Sequence, residues 1–103
     1  MRICDAVARG HPALEGHFPG NPIVPGVLLL SRVVHAAEGF FEARIGAVTS
    51  ARFQVPLKPD ERFEIVFSEA AENRVRFRVL HGDIQVANGV LELATPTRVG
   101  DTA

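Results

Sequence analysis

The segment from Val27 to Glu42 constrains the fold most. Val27, Leu28, Leu29, Leu30, Val33, Val34, Ala36, Ala37, Phe40 and Phe41 fill most of a helical circumference at 3.6 residues per turn. A helix apolar on nearly every side is predicted to be buried, so the rest of the chain has to supply the surface that buries it. Its few polar positions are therefore conspicuous. Ser31 and His35, four residues apart, share one face, and Glu38 extends it. Pro25 and Gly26 suit the start of such a helix, whereas Gly39 loosens its last turns at a cost of up to about 1 kcal/mol relative to alanine.

The covering surface comes from the C-terminal half of the chain. Strands are predicted over Val48 to Val55, Arg62 to Ser68, Arg74 to Leu80 and Ile84 to Leu93. In the middle two, Phe63, Ile65 and Phe67 share one face, as do Val75, Phe77 and Val79, with Arg74, Arg76 and Arg78 pointing the other way. The apolar faces should meet the helix. Glu72-Asn73 and Gly82-Asp83 supply turn chemistry between antiparallel neighbours. In the last strand the apolar residues change phase, from Ile84 and Val86 to Leu91 and Leu93, which predicts a bulge around Asn88-Gly89. Met1 to Ala8 reads as an edge strand with Ile3 and Val7 on one face, and Thr95 to Ala103 as a frayed tail. One long helix followed by antiparallel strands is an α+β pattern in which a curved sheet wraps the helix. All of residues 1–103 are expected to form one domain.

Upstream of the helix stands His17-Phe18-Pro19-Gly20-Asn21-Pro22-Ile23-Val24-Pro25-Gly26, with three prolines and two glycines in ten positions. Each proline fixes φ and removes a donor, and each glycine permits close backbone approach. The result is a shaped loop holding an imidazole, a side chain whose ordinary pKa of about 6.5 suits proton transfer near neutrality.

Gly16 to Leu28, which contains this run, resembles the active-site segment of the bacterial 3-hydroxyacyl-(acyl-carrier-protein) dehydratases, whose fold is the hot dog. Ala51-Arg52-Phe53-Gln54-Val55-Pro56-Leu57-Lys58-Pro59-Asp60 resembles the strand and turn after that family's central helix. His11-Pro12-Ala13 and the short chain point to the branch associated with aryl-polyene and related lipid-like products. The resemblance implies a dimer with a continuous sheet, sometimes assembled further, acting on an acyl thioester carried by an acyl carrier protein. It implies His17 as the catalytic histidine, with Phe18, Gly20, Pro25, Gly26 and Val27 contacting substrate.

Dehydration needs a base for the proton beside the carbonyl, an acid for the departing hydroxyl and donors for the enolate-like oxygen. His17 is the candidate base, and the free amides of Gly26 or Val27 at the positive end of the helix dipole are the candidate donors. The acid is the departure. Where the family carries a carboxylic acid, this chain has Ser31, whose hydroxyl positions a water or a substrate but is a poor acid. His35 is the next candidate and Glu38 the one after, both farther from the helix start; a tolerated polar residue at a dimer interface is the plainer account of His35. Glu15 either orients the imidazole or is an exposed loop carboxylate, and His11 and His81 read as loop or turn residues.

Composition excludes more than it proposes. A net charge of −1 and a pI near 6.4 give no global case for nucleic acid or an anionic membrane. The row of Arg74, Arg76 and Arg78 is expected to be a solvated sheet face, evidence for docking an acidic carrier only if it lies beside the active-site mouth. Cys4 stands alone and reads as a partly buried small side chain in a reduced compartment; four scattered histidines have no metal-ligand spacing, so neither metal nor cofactor is expected. The apolar run Val27 to Leu30 is far short of the roughly 20 residues that span a bilayer, and no signal peptide is visible; a cytoplasmic protein is expected. Two rivals to dehydration stand: a hot-dog thioesterase, and a degenerate acyl-binding or structural subunit.

Overall fold

The period-two apolar pattern pairs as expected. The computed structural model describes residues 2–7 and 23–94. They form β1 (Arg2–Asp5), α1 (Gly26–Phe41), β2 (Ile45–Phe53), β3 (Phe63–Ala71), β4 (Arg74–His81) and β5 (Ile84–Leu93). The strands make one antiparallel sheet in the order β1-β3-β4-β5-β2. Phe67 faces Phe77 across β3 and β4, and Ile65 faces Val79, so both apolar rows lie on one side. Asn73 (φ 63°) and Gly82 (φ 62°) take left-handed conformations at the two hairpin turns, residues suited to that region.

Against the apolar side of the sheet lies α1, through Leu29, Val33 and Ala37, each at most 3% exposed and spaced by four so that they form one stripe. With Phe63, Ile65, Phe67, Val75, Phe77, Val79 and Leu91 they make one core, where each large side chain contributes about 1.5–3 kcal/mol by leaving water. The far end of α1 is fastened by aromatic contacts. Phe41 meets Phe67 edge to face at 5.6 Å and Phe40 stacks on Phe67 at 6.4 Å. Glu42 closes the helix in a left-handed conformation, and the Glu38 carboxylate accepts the Ile45 N–H at 3.0 Å, tying the last turns to the start of β2.

Three sequence expectations are corrected. The helix is not buried on every side of a single chain: Val27 is 83% exposed, and Ser31, His35 and Gly39 are exposed too. The phase change in β5 comes earlier than Asn88-Gly89. The register with β4 slips between Val79 and Leu80, and Val86 and Ala87 are both buried. Gly89 itself stays in the ladder, where a Cβ would collide with the Ser50 carbonyl oxygen and lie 2.6 Å from the Phe77 ring. Cys4 is exposed, on the outer face of β1, while Ile3 and Val7 turn inward as expected. No helix among the described residues is long and apolar enough to cross a membrane.

Candidate active site

The start of α1 is built by two loops that grip each other. The Val24 N–H donates to the Leu57 carbonyl at 2.7 Å, and the Asp60 N–H donates to the Val7 carbonyl at 2.7 Å. The 54–62 connection is thereby fixed to the chain on both sides of the 8–22 segment. Pro25 caps the helix in an extended conformation (φ −60°, ψ 142°), and no side chain among the described residues caps the first amides. The first helical bond runs from Leu29 N–H to the Pro25 carbonyl at 3.1 Å. The N–H groups of Gly26, Val27 and Leu28 therefore meet no acceptor among the described residues, as the first turn of a helix requires.

Gly26 stands where Phe53 arrives from the end of β2. A Cβ at this position would lie 3.2–3.3 Å from three Phe53 ring atoms, so the missing side chain is what lets the aromatic ring close over the helix start. Beside this contact is a largely apolar cavity of about 350 Å³, lined by Val24, Gly26, Leu29, Phe53, Val55 and Leu57 among others. A second concavity, an open groove of about 430 Å³, runs along the outer side of α1 between Val27, Leu30, Ser31, Val34, His35, Glu38 and Val48. Gly26 faces the first and Val27 the second, so the helix N-terminus divides them. At about 1.5 Å per residue Ser31 lies roughly 7–8 Å along the axis from Gly26 and His35 roughly 13–14 Å.

The structure thus brings Val27, Ser31 and His35 onto one exposed stripe and sets Pro25 and Gly26 at the helix start. Ser31 and His35 hydrogen-bond to nothing among the described residues, whereas Glu38 lines the same groove with one carboxylate oxygen already bound to Ile45. His17, Phe18 and Gly20 lie outside the described residues, as do His11, Glu15 and the 95–103 tail. His81 sits away from the helix start, its Nδ1 2.7 Å from the Arg62 carbonyl and its Nε2 3.3 Å from Glu61. A further concavity, about 540 Å³, lies at the opposite end of α1 near Phe41 and the β3–β4 turn and is lined by none of the candidate catalytic residues. Phe53 is the site residue to which sequence reasoning assigns no role. Its signal is present, since it lies within the block from Ala51 to Asp60 that carries the weaker half of the resemblance.

This sheet order around one helix is shared with solved proteins. A chain of the dehydratase heterocomplex ApeI:P from Xenorhabdus doucetiae superimposes with a TM-score of 0.75 at 24% identity, over 91% of this chain and 86% of that one. An uncharacterized protein from Erwinia carotovora subsp. atroseptica gives 0.74 at 24% identity, over 94% and 84%. The fold is a hot dog. The family model described as ApeI-like, ApeI dehydratase, matches residues 2–90, and the chain belongs to that family. The 3-hydroxyacyl-[acyl-carrier-protein] dehydratase FabZ of Klebsiella pneumoniae subsp. pneumoniae is 29% identical over 91 residues, which is 76% of this chain and 60% of FabZ. The FabZ of Salmonella arizonae matches to the same extent. The chain therefore spans less than two thirds of the length of these relatives.

Proposed function

We propose that this chain is a cytoplasmic 3-hydroxyacyl thioester dehydratase or a close derivative, working on substrates held by an acyl carrier protein. The observation that carries the reading is the helix start after the His17 motif: N–H groups at Gly26, Val27 and Leu28 that meet no acceptor among the described residues, beside an apolar cavity. In the proposed reaction His17 removes a proton from the carbon next to the thioester carbonyl. The Gly26 or Val27 N–H receives the developing negative charge on the carbonyl oxygen, aided by the helix dipole. The C–O bond at the 3-position then breaks, the hydroxyl leaves with a proton as water, and a carbon–carbon double bond remains.

Ser31 has the role of positioning the departing hydroxyl, and the proton comes from His35 or from a carboxyl group of a second subunit. Glu38 is a poorer source, because one of its oxygens is committed to the Ile45 N–H. A second subunit is favoured by two features of the single chain. Among the described residues β2 is an edge strand paired only with β5, and the stripe from Val27 to Val48 is exposed although apolar in part. A homodimer is the simplest assembly. The Xenorhabdus doucetiae dehydratase belongs to a heterocomplex, which makes an unlike partner the alternative.

A second reading is a subunit that binds acyl thioesters without converting them, favoured by the unaccompanied hydroxyl of Ser31. Incubation with a 3-hydroxyacyl carrier protein, following enoyl product and free thiol together, tests both. Enoyl product is expected. Free thiol alone identifies a thioesterase, and binding with neither product identifies the non-catalytic subunit.

A further inference from the structure

On the face of the sheet turned away from α1, the register sets out two neighbouring rows. One reads Ser50, Val90, Arg76 and Ser68 across β2, β5, β4 and β3; the next reads Arg52, Asn88, Arg78 and Val66. The inner row between them, Ala51, Gly89 and Phe77, points into the core, so both outer rows face solvent together. Arg52, Arg76 and Arg78 surround a concavity of about 330 Å³ floored by Gly89, with Ser50 and Asn88 on its wall. With about 3.4 Å per residue and about 4.8 Å between strands, Arg76 and Arg78 stand roughly 7 Å apart and Arg52 and Arg78 roughly 10 Å apart at their Cα atoms.

These three guanidinium groups have no carboxylate partner among the described residues, and neither row contains one. Three other arginines are paired, whereas Arg44 and Arg62 also have no carboxylate partner among the described residues, so it is the shared hollow and not the lack of a partner that sets Arg52, Arg76 and Arg78 apart. Arg74, one step along the same strand face, meets Glu92 at 3.7 Å; Arg2 meets Glu64 at 2.7 Å; Arg32 donates to both Asp5 oxygens at 3.0 Å. Three like charges around one hollow repel each other, and the substitution that would relieve them, an acid opposite Arg76 or Arg78, is what the next row carries at Glu92. Planar guanidinium forks from two strands lining one hollow, with the neutral side chains of Ser50 and Asn88 beside them, suit a tetrahedral oxyanion, which can take two parallel hydrogen bonds from an arginine.

We propose that Arg52, Arg76 and Arg78 form a binding site for the phosphate or diphosphate group of a small phosphorylated ligand, on the sheet face opposite α1. The site is independent of the dehydratase reading: it shares no residue with the helix start and faces the other way.

The test is calorimetric titration of the full chain with inorganic pyrophosphate and, separately, with adenosine 5′-diphosphate, near physiological salt. Saturable binding with Kd at or below about 1 mM is expected for at least one of the two. Binding of both with equal affinity assigns the site to the charged group alone, and tighter binding of the nucleotide assigns part of it to the organic moiety; both outcomes support the site. R76Q and R78Q should each weaken binding by at least tenfold, R78K by less because it keeps the charge and loses the fork, and R74Q by under twofold although it removes the same charge. All three positions are exposed, and unchanged thermal unfolding shows that the variants fold. No saturation by either probe, equal weakening by R74Q and R78Q, or binding that survives R52Q/R76Q/R78Q would overturn the proposal. Binding of polyglutamate in the absence of phosphate binding would overturn it in favour of a protein-docking face.

Discussion

Gly26→Ala separates what the helix start does for folding from what it does for substrate. The added Cβ would stand 3.2–3.3 Å from three atoms of the Phe53 ring, so the ring has to yield by a few tenths of an ångström. It is free to do so, being 50% exposed. Gly26 does not use a left-handed conformation, so alanine suits the backbone and recovers up to about 1 kcal/mol of chain entropy. The crowding and the entropy gain oppose each other, and the net change in stability should stay within about 1 kcal/mol, a shift of roughly 4–8 °C in Tm at most. The chemistry is less forgiving. In the proposed mechanism the methyl group crowds the helix start where the Gly26 or Val27 amide would meet a thioester oxygen, and a displacement approaching 1 Å there should lower kcat/KM by up to about a hundredfold. Steady-state dehydration of a 3-hydroxyacyl thioester, run beside thermal unfolding, reads both effects. Phe53→Leu in the same background should return part of the activity by making room. Gly26→Ala with kcat/KM within twofold of the parent would show that the helix start does not contact substrate, and loss of cooperative unfolding would show that Phe53 cannot yield.

Three further outcomes are expected. Glu38→Ala frees the Ile45 N–H and should cost about 1–3 kcal/mol in chemical denaturation, with turnover per folded molecule unchanged if Glu38 anchors the α1–β2 turn and supplies no proton. Ser31→Glu puts a carboxyl group on the exposed helix stripe and should raise dehydratase turnover, with His17→Ala in that background removing the gain; a folded, substrate-binding variant with no gain means that His35 or Glu38 already serves as the acid or that the site is not a dehydratase, outcomes that His35→Ala and Glu38→Ala in the parent distinguish. Sedimentation equilibrium at micromolar concentration should show a dimer or larger assembly, and a monomer at every concentration would leave the edge of β2 unaccounted for.

Much of the sheet was legible because β3 and β4 bury one face and not the other: Phe63, Ile65, Phe67, Val75, Phe77 and Val79 record that in a strict alternation. The outer parts were harder. β2 begins at Ile45 and not at Val48, because register slips beside Gly46 and Thr49 and an almost wholly exposed surface erase its alternation. β3 runs on through Glu69, Ala70 and Ala71, residues with little strand preference held there by pairing with β4. Gly89 looks in the sequence like the glycine of a bulge and is instead the glycine of a close approach, a distinction that rests on Ser50 and Phe77. The helix reads as buried all round because its apolar residues occupy nearly every side, whereas within this chain only the stripe of Leu29, Val33 and Ala37 is fully covered by the sheet. At the site, the stripe of Val27, Ser31 and His35 follows from helical spacing alone, whereas the meeting of Gly26 with Phe53 joins residues that no local pattern connects.

In the proposed function His17 and the start of α1 together make an active site for dehydration. This is tested most directly by comparing the parent and His17→Ala on one 3-hydroxyacyl carrier protein, with enoyl product and free thiol quantified in the same samples and folding checked by thermal unfolding. Enoyl product from the parent, falling by roughly a hundredfold or more in the variant without loss of stability, is the predicted result. Equal enoyl formation by both proteins, or free thiol as the sole product, would contradict it.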